Sequence, residues 1–118
     1  MTATAEKVLE LVVFKLGAGV SREQFLATVE PVSSWIARQP GFISRELCHD
    51  SEGDRWVDVV WWRTMAEAQA AAELAMTSES CAPMFNLIDM ESTLMVHGEP
   101  AIPPVISAAG GVPPRVRD

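Results

Sequence analysis

Between Asp54 and Ser78 the chain reads DRWVDVVWWRTMAEAQAAAELAMTS, a strand that runs directly into a helix. Arg55 to Trp62 is rich in Val and Trp, which suit a pleated, half-buried surface. Thr64 and Glu67 then have the T-x-x-E spacing of a capping box, and from Met65 onward Ala, Glu, Gln, Leu and Met favour helix. Side chains of a strand alternate between its faces. Trp56, Asp58, Val60 and Trp62 therefore share one side, and Val57, Val59 and Trp61 share the other. The second side is wholly apolar, and the first sets one acid between indoles. Both faces of this strand are predicted to be buried, one of them around a charge.

The rest of the chain fits around this unit. Val8 to Leu16 reads as a first strand, with Glu10, Val12 and Phe14 on one side and Leu9, Leu11, Val13 and Lys15 on the other. Neither face is left for water, which predicts a central strand. After the Gly17–Gly19 turn, Ser21 and Gln24 open a helix whose stripe of Phe25, Val29, Val32 and Ile36 points to the sheet. Pro31 is expected to kink this helix without splitting it, and Pro40-Gly41 ends it. Phe42 to His49 is the second strand, joined by a short turn at 50–53 to the third as a hairpin. Ser80 to Asn86 reads as a connector. Leu87 to His97 is the fourth strand, with Asp89, Glu91, Thr93, Met95 and His97 facing one way and Ile88, Met90, Ser92, Leu94 and Val96 the other.

The order β-α-β-β-α-β predicts an α+β, ferredoxin-like fold with a four-stranded, antiparallel-type sheet. Strands one and three are expected to be adjacent, central and parallel. Both helices would cover one face of the sheet. The other face then needs a cover, and a second copy of the chain is the simplest one. The folded domain is expected at 1–98. Residues 99–118 hold Pro100, Pro103, Pro104, Pro113, Pro114 and Gly110-Gly111, and form a tail. That tail is either mobile or an arm laid across a partner through Ile102, Val105 and Ile106.

The net charge of −7 and nine scattered basic residues argue against nucleic acid as a partner. No apolar run is long enough to span a bilayer, and Met1 to Lys7 lacks the apolar stretch of a signal peptide. A cytoplasmic protein is expected, with Cys48 and Cys81 as buried free thiols, although a bridge between them stays open.

The blocks ELVVFKLGAGVSREQF, QPGFISREL and DRWVDVVWWRTMAEAQAA, with a last strand ending at His97, resemble the dimeric α/β-barrel superfamily. The branch they resemble is that of the antibiotic-biosynthesis-monooxygenase-like proteins. The resemblance covers about residues 8–98 and includes the Trp62-Arg63-Thr64 strand-to-helix junction. It implies a homodimer in which two sheets face each other, and a pocket in each subunit between sheet and helices. It also implies cofactor-free oxygenation of an aromatic or polyketide-like small molecule. Quinone-forming members place an Asn and a Trp four residues apart on the third strand. The matching positions are Asp58 and Trp62, so Trp62 fits while Asp58 puts an acid in place of the amide. Those enzymes also use a Tyr, and this chain has none. Haem-degrading members bind iron through a His on the second helix; residues 65–78 contain no His, so haem is not expected.

The residues themselves suggest acid–base chemistry. Glu10 and Asp58 stand near the middle of adjacent strands. If they share a face, desolvation and mutual repulsion raise one carboxyl toward neutrality and make it a competent general base. Asp58 is the first choice for that role, with Glu10 beside it. Trp62 and Trp56, with Phe14 and Phe25, would form flat walls for an aromatic substrate. The alternative is that Arg45, Arg55 or Arg63 pairs with these acids and the cluster is structural. His97, at the end of strand four, is either solvated or a proton shuttle at the pocket mouth. His49 ends strand two in the same way. No metal-ligand spacing, dinucleotide fingerprint, P-loop or nucleophile elbow is present. Three functions remain open: a monooxygenase, a carboxylate-driven polyketide cyclase or isomerase, and a non-catalytic small-molecule-binding or stress-related module.

Overall fold

In the computed structural model, which describes residues 7–108, the elements are β1 (Val8–Leu16), α1 (Arg22–Leu26), α2 (Val29–Ala37), β2 (Phe42–Asp50), β3 (Arg55–Trp62), α3 (Met65–Ala75), α4 (Ala82–Asn86) and β4 (Ile88–Gly98). They form one four-stranded sheet in the order β2-β3-β1-β4. The predicted ferredoxin-like α+β fold is present, with β1 and β3 central and adjacent. The pair is antiparallel, however, with Val12 opposite Asp58 and Phe14 opposite Trp56. This corrects the expected parallel pairing. The crossover through α1 and α2 makes β2 run the same way as β1, and the tight hairpin then reverses β3.

The first helix also departs from expectation. It is split at Ala27–Thr28, and α2 starts at Val29. Pro31 is the cause, acting one turn upstream. Its ring collides with a helical carbonyl four residues earlier, at Ala27. At the third position of α2 its missing N–H is no loss. Thr28 fills the break by donating its hydroxyl to the Phe25 carbonyl at 2.7 Å. The apolar stripe survives the break: Phe25 and Val32 are buried, and Val29 and Ile36 pack beside them.

Alternation decides what each sheet face carries. Val8, Glu10, Phe14, Trp56, Asp58, Val60 and Trp62 are all buried under the helices. The far face carries Leu9, Leu11, Val13, Val57, Val59 and Trp61, half-buried, with Leu94 and Val96 exposed. Lys7 holds its ammonium over the Trp61 ring at 4.3 Å. Cys48 lies opposite Val57 on this uncovered face and is exposed, which corrects its expected burial; Cys81 is buried, and both are free.

The connector before β4 contains α4, with Pro83 in its first turn, where proline is tolerated. β4 slips in register against β1 between Val13 and Lys15. Ser92 fills the slip, accepting from the Lys15 N–H at 3.2 Å and donating to the Asp89 carbonyl at 3.0 Å. The slip breaks the expected division of β4 into two faces, so that Ile88 and Met90 turn to the helix side along with Thr93 and Met95. Gly41, at φ +84°, ends the helical arm, and a Cβ there would overlap the Glu67 side chain.

Residues 99–108 carry no helix or strand, and Ile102, Val105 and Ile106 are exposed. Residues 1–6, read as lacking a signal stretch, and the tail's Gly110-Gly111 and Pro113-Pro114 lie outside the described residues. Among the described residues no helix is long and apolar enough to cross a membrane.

Candidate functional site

The two halves of the helix–sheet interface are packed differently. At the hairpin end, Phe14, Phe25 and Trp56 stack at centroid distances of 4.8–5.7 Å and leave no room. At the other end α3 faces the sheet with Ala68, Ala71, Ala72 and Ala75. Methyl groups cannot fill the space that Leu or Phe would fill. The result is a cavity of about 140 Å³ between β1, β3, α2, α3 and α4. Its walls are almost wholly apolar, including Val12, Val60, Trp35, Ala72 and Phe85. Its mouth opens between α3 and the edge strand β4, beside the exposed thioethers of Met76, Met90 and Met95.

Two carboxylates project into this apolar region, Glu10 from β1 and Asp58 from β3. Their strand positions are diagonal, since Glu10 lies opposite Val60 and Val12 opposite Asp58. Their surroundings differ. Asp58 is gripped by Arg45 of β2: Nε donates to Oδ1 at 2.9 Å, and Nη2 donates to Oδ2 at 2.7 Å. The guanidinium is itself buried and donates to Ser33 Oγ at 2.9 Å. Such a two-point bond is the strong form of an ion pair. Of the three candidate arginines, Arg45 is the one that pairs here; Arg55 pairs with Asp50 at the hairpin instead.

Glu10 has no cation gripping it. Trp62 donates its indole N–H to Oε1 at 2.8 Å. His97 Nε2 stands 3.7 Å from Oε2, near enough to attract but too far for a hydrogen bond. Burial pushes the Glu10 carboxyl above its ordinary range, and the negative Asp58 adds to this. The Trp62 bond and His97 pull against burial without overcoming it. Cys81, on the same wall, is also pushed up by burial and stays a thiol.

Glu10, Asp58, Trp62 and His97 are thus brought together, with Phe14 on the cavity wall. The other aromatic positions expected to form walls lie elsewhere. Trp62 is fully buried behind Glu10 and touches the site through its N–H. Trp56 and Phe25 belong to the solid aromatic end, because the hairpin end of the sheet is closed by α1. There His49 lies against Trp56 and pairs with the exposed Asp54 at 3.1 Å. That end borders a separate open cleft lined by Lys15, Arg22 and His49. Sequence reasoning missed Trp35, the α4 wall of Met84 and Phe85, and the alanines of α3. The Ala68–Ala71–Ala75 spacing was visible as a helical face, and its small size was the available signal for a void.

No family model matches the chain, and no curated protein matches it. Solved structures do. A variant of SnoaB, a cofactor-independent oxygenase from Streptomyces nogalater, is similar with a TM-score of 0.65 and 15% identity, covering 84% of this chain and 97% of that one. The chain has the fold of this oxygenase. A monooxygenase from the ActVA-Orf6 gene of Streptomyces coelicolor, in complex with nanaomycin D, gives a TM-score of 0.59 at 20% identity, over 87% and 95% of the two chains. Rv0793 from Mycobacterium tuberculosis gives 0.58 at 14%, over 86% and 98%. The expected likeness to the antibiotic-biosynthesis-monooxygenase-like fold therefore holds, at the level of fold.

Proposed function

We propose that this chain is a small enzyme of the antibiotic-biosynthesis-monooxygenase-like type, working without a bound cofactor on an aromatic or polyketide-like molecule held in the cavity. The observation that carries the reading is the contrast inside that cavity. One buried carboxylate is matched by an arginine, and the other has only the Trp62 N–H as a hydrogen-bond donor and is raised by burial. A carboxylate moved toward neutrality is matched to taking a proton near neutral pH. Glu10 is therefore the base, Oε2 the accepting atom, and Trp62 the group that fixes its orientation. Asp58 is a positioning residue, bound to Arg45, and His97 is the polar neighbour of the proton. The apolar wall supplies ring contacts and keeps water from the carbanion or enolate left behind.

Proton removal is the first step of both oxygenation and carboxylate-driven cyclisation. The neighbours SnoaB and ActVA-Orf6, described as an oxygenase and a monooxygenase, support the former. The test is turnover of a panel of phenols, anthrones and β-diketones with no cofactor added, following substrate by chromatography and dissolved oxygen by electrode. Oxygenation consumes about one O₂ per product, and cyclisation consumes none. Glu10→Gln should lower turnover by about 10²–10⁴-fold. A panel left untouched by the parent, or a Glu10→Gln protein at full rate, defeats the reading.

The uncovered far face supports a homodimer, with Leu11, Val59, Trp61 and Val96 against their copies. Light scattering at micromolar concentration should give twice the chain mass, and Val59→Lys should halve it. A parent protein that scatters as a monomer counts against it.

A further inference from the structure

Among the described residues, His97 Nε2 is the buried side-chain nitrogen or oxygen that no hydrogen bond satisfies. Native proteins rarely strand such an atom, and where they do, a missing partner is the usual explanation. The nearest acid is Glu10, whose Oε2 lies 3.7 Å away, while its Oε1 is occupied by Trp62. The pair is therefore set apart by slightly more than one hydrogen bond. A single oxygen at ordinary bonding distance from both, about 2.7–2.9 Å, closes a triangle on that base.

That oxygen must give a hydrogen to a carboxylate and take one from an imidazole N–H. A hydroxyl does both at one atom. A carbonyl or ether oxygen cannot donate, an ammonium cannot accept, and a carboxylate meets the negative Glu10. The other charges near the cavity, Asp58 and Arg45, satisfy each other. The remaining walls carry no charge, so nothing there compensates a second charge on a ligand. The size is informative too. At about 140 Å³ the cavity is close to the ~150 Å³ that holds one benzene ring. A second ring would then lie in the mouth, against Met76, Met90 and Met95, whose flexible thioethers pack well on aromatic faces.

We propose that the gap between Glu10 and His97 is a hydroxyl-recognition slot, and that the ligand is an uncharged aromatic whose ring hydroxyl donates to Glu10 Oε2 and accepts from His97 Nε2. This rests on the reading of the cavity as the substrate site, and it names the feature by which that site chooses. His97 requires its Nε2–H tautomer for the purpose.

The test is calorimetric binding of 2-naphthol and of 2-methylnaphthalene, which have the same rings, with and without the hydroxyl. The parent protein should prefer 2-naphthol by about 10–100-fold, the worth of a hydrogen bond to a charged group. His97→Leu should remove a large part of that preference and leave 2-methylnaphthalene binding as before. His97→Gln, which keeps an N–H donor, should restore part of it. Equal affinities in the parent mean that the gap holds only solvent and overturn the slot, leaving the cavity reading intact. A preference that His97→Leu leaves undiminished overturns it as well. Failure of both ligands to bind overturns the slot and the cavity reading together.

Discussion

Asp58 and Glu10 stand one strand apart on the same buried face, and their surroundings could hardly differ more. Asp58 is held at two points by a buried guanidinium, and its charge is matched within the wall. Glu10 is held by one indole N–H, with an imidazole just out of bonding range, and burial works against its charge. Of two acids in one apolar setting, one has its charge matched at two points and the other does not. In the proposed reading, the one with a partial partner is the one that takes the proton.

The sharpest way to break this contrast is to remove Arg45. Arg45→Ala leaves Asp58 as an unpaired buried charge and should cost about 3–5 kcal/mol of stability, read from urea denaturation. Replacing both partners, Arg45→Leu with Asp58→Leu, should cost much less than Arg45→Ala alone. A double variant as unstable as the sum of the singles would show that the pair is not coupled. Asp58→Asn belongs to the same series. It leaves the guanidinium with an uncharged acceptor, so stability should fall along with any activity. An Asp58→Asn protein with unchanged stability and abolished turnover would return the base role to Asp58.

Next in size is Trp62→Phe. It removes the donor to Glu10 Oε1 and leaves that oxygen unsatisfied, at a cost of about 1–3 kcal/mol. The lost bond is one that favours the charged carboxylate, so the acid limb of the turnover profile should move to higher pH. A limb that stays in place would mean that Trp62 does not set the state of Glu10.

The smallest effect concerns pH and stability. The Glu10 carboxyl titrates in the folded protein above its ordinary value of 4.5. Between the two positions the native state keeps a proton that the unfolded chain has released, so this group's contribution falls as pH rises through that window. Glu10→Gln escapes the loss. Its melting temperature should exceed the parent's at pH 7, and the gap should close as pH is lowered toward 4.5. A constant gap would place the pH dependence in some other group.

Much of this was legible in the sequence. Period-two alternation put Trp56, Asp58 and Trp62 on one face of β3 and Val57, Val59 and Trp61 on the other, and the structure keeps that division and brings Glu10 to the first face. Strand direction was misjudged because the crossover and the hairpin each reverse the chain, and both reversals must be followed to reach β3. A kink without a split was expected at Pro31, and the break falls instead at Ala27–Thr28 because the ring of Pro31 acts on a carbonyl one turn before it. The turn of Ile88 and Met90 toward the cavity depends on a register slip filled by Ser92, and alternation within β4 alone does not signal it. Which arginine meets Asp58 could not be read from spacing, since Arg45, Arg55 and Arg63 all flank it in sequence. The cavity was hardest to foresee because it is made of what α3 lacks. MAEAQAAAELA reads first as a good helix, and only its position over the sheet turns those alanines into space.

Those alanines also bear on how a ligand gets in. A helix anchored by methyl groups gives up little buried area when it lifts from the sheet. α3 should therefore open more readily than α2, whose Val32 is buried in one cluster with Phe25 and Trp56. Amide hydrogens of 68–75 should exchange with solvent sooner than those of 32–37. Opening of this kind needs no hinge and no lid, and it would admit molecules wider than the resting mouth. The helix that makes room for the ligand would then also set how fast the ligand arrives and leaves.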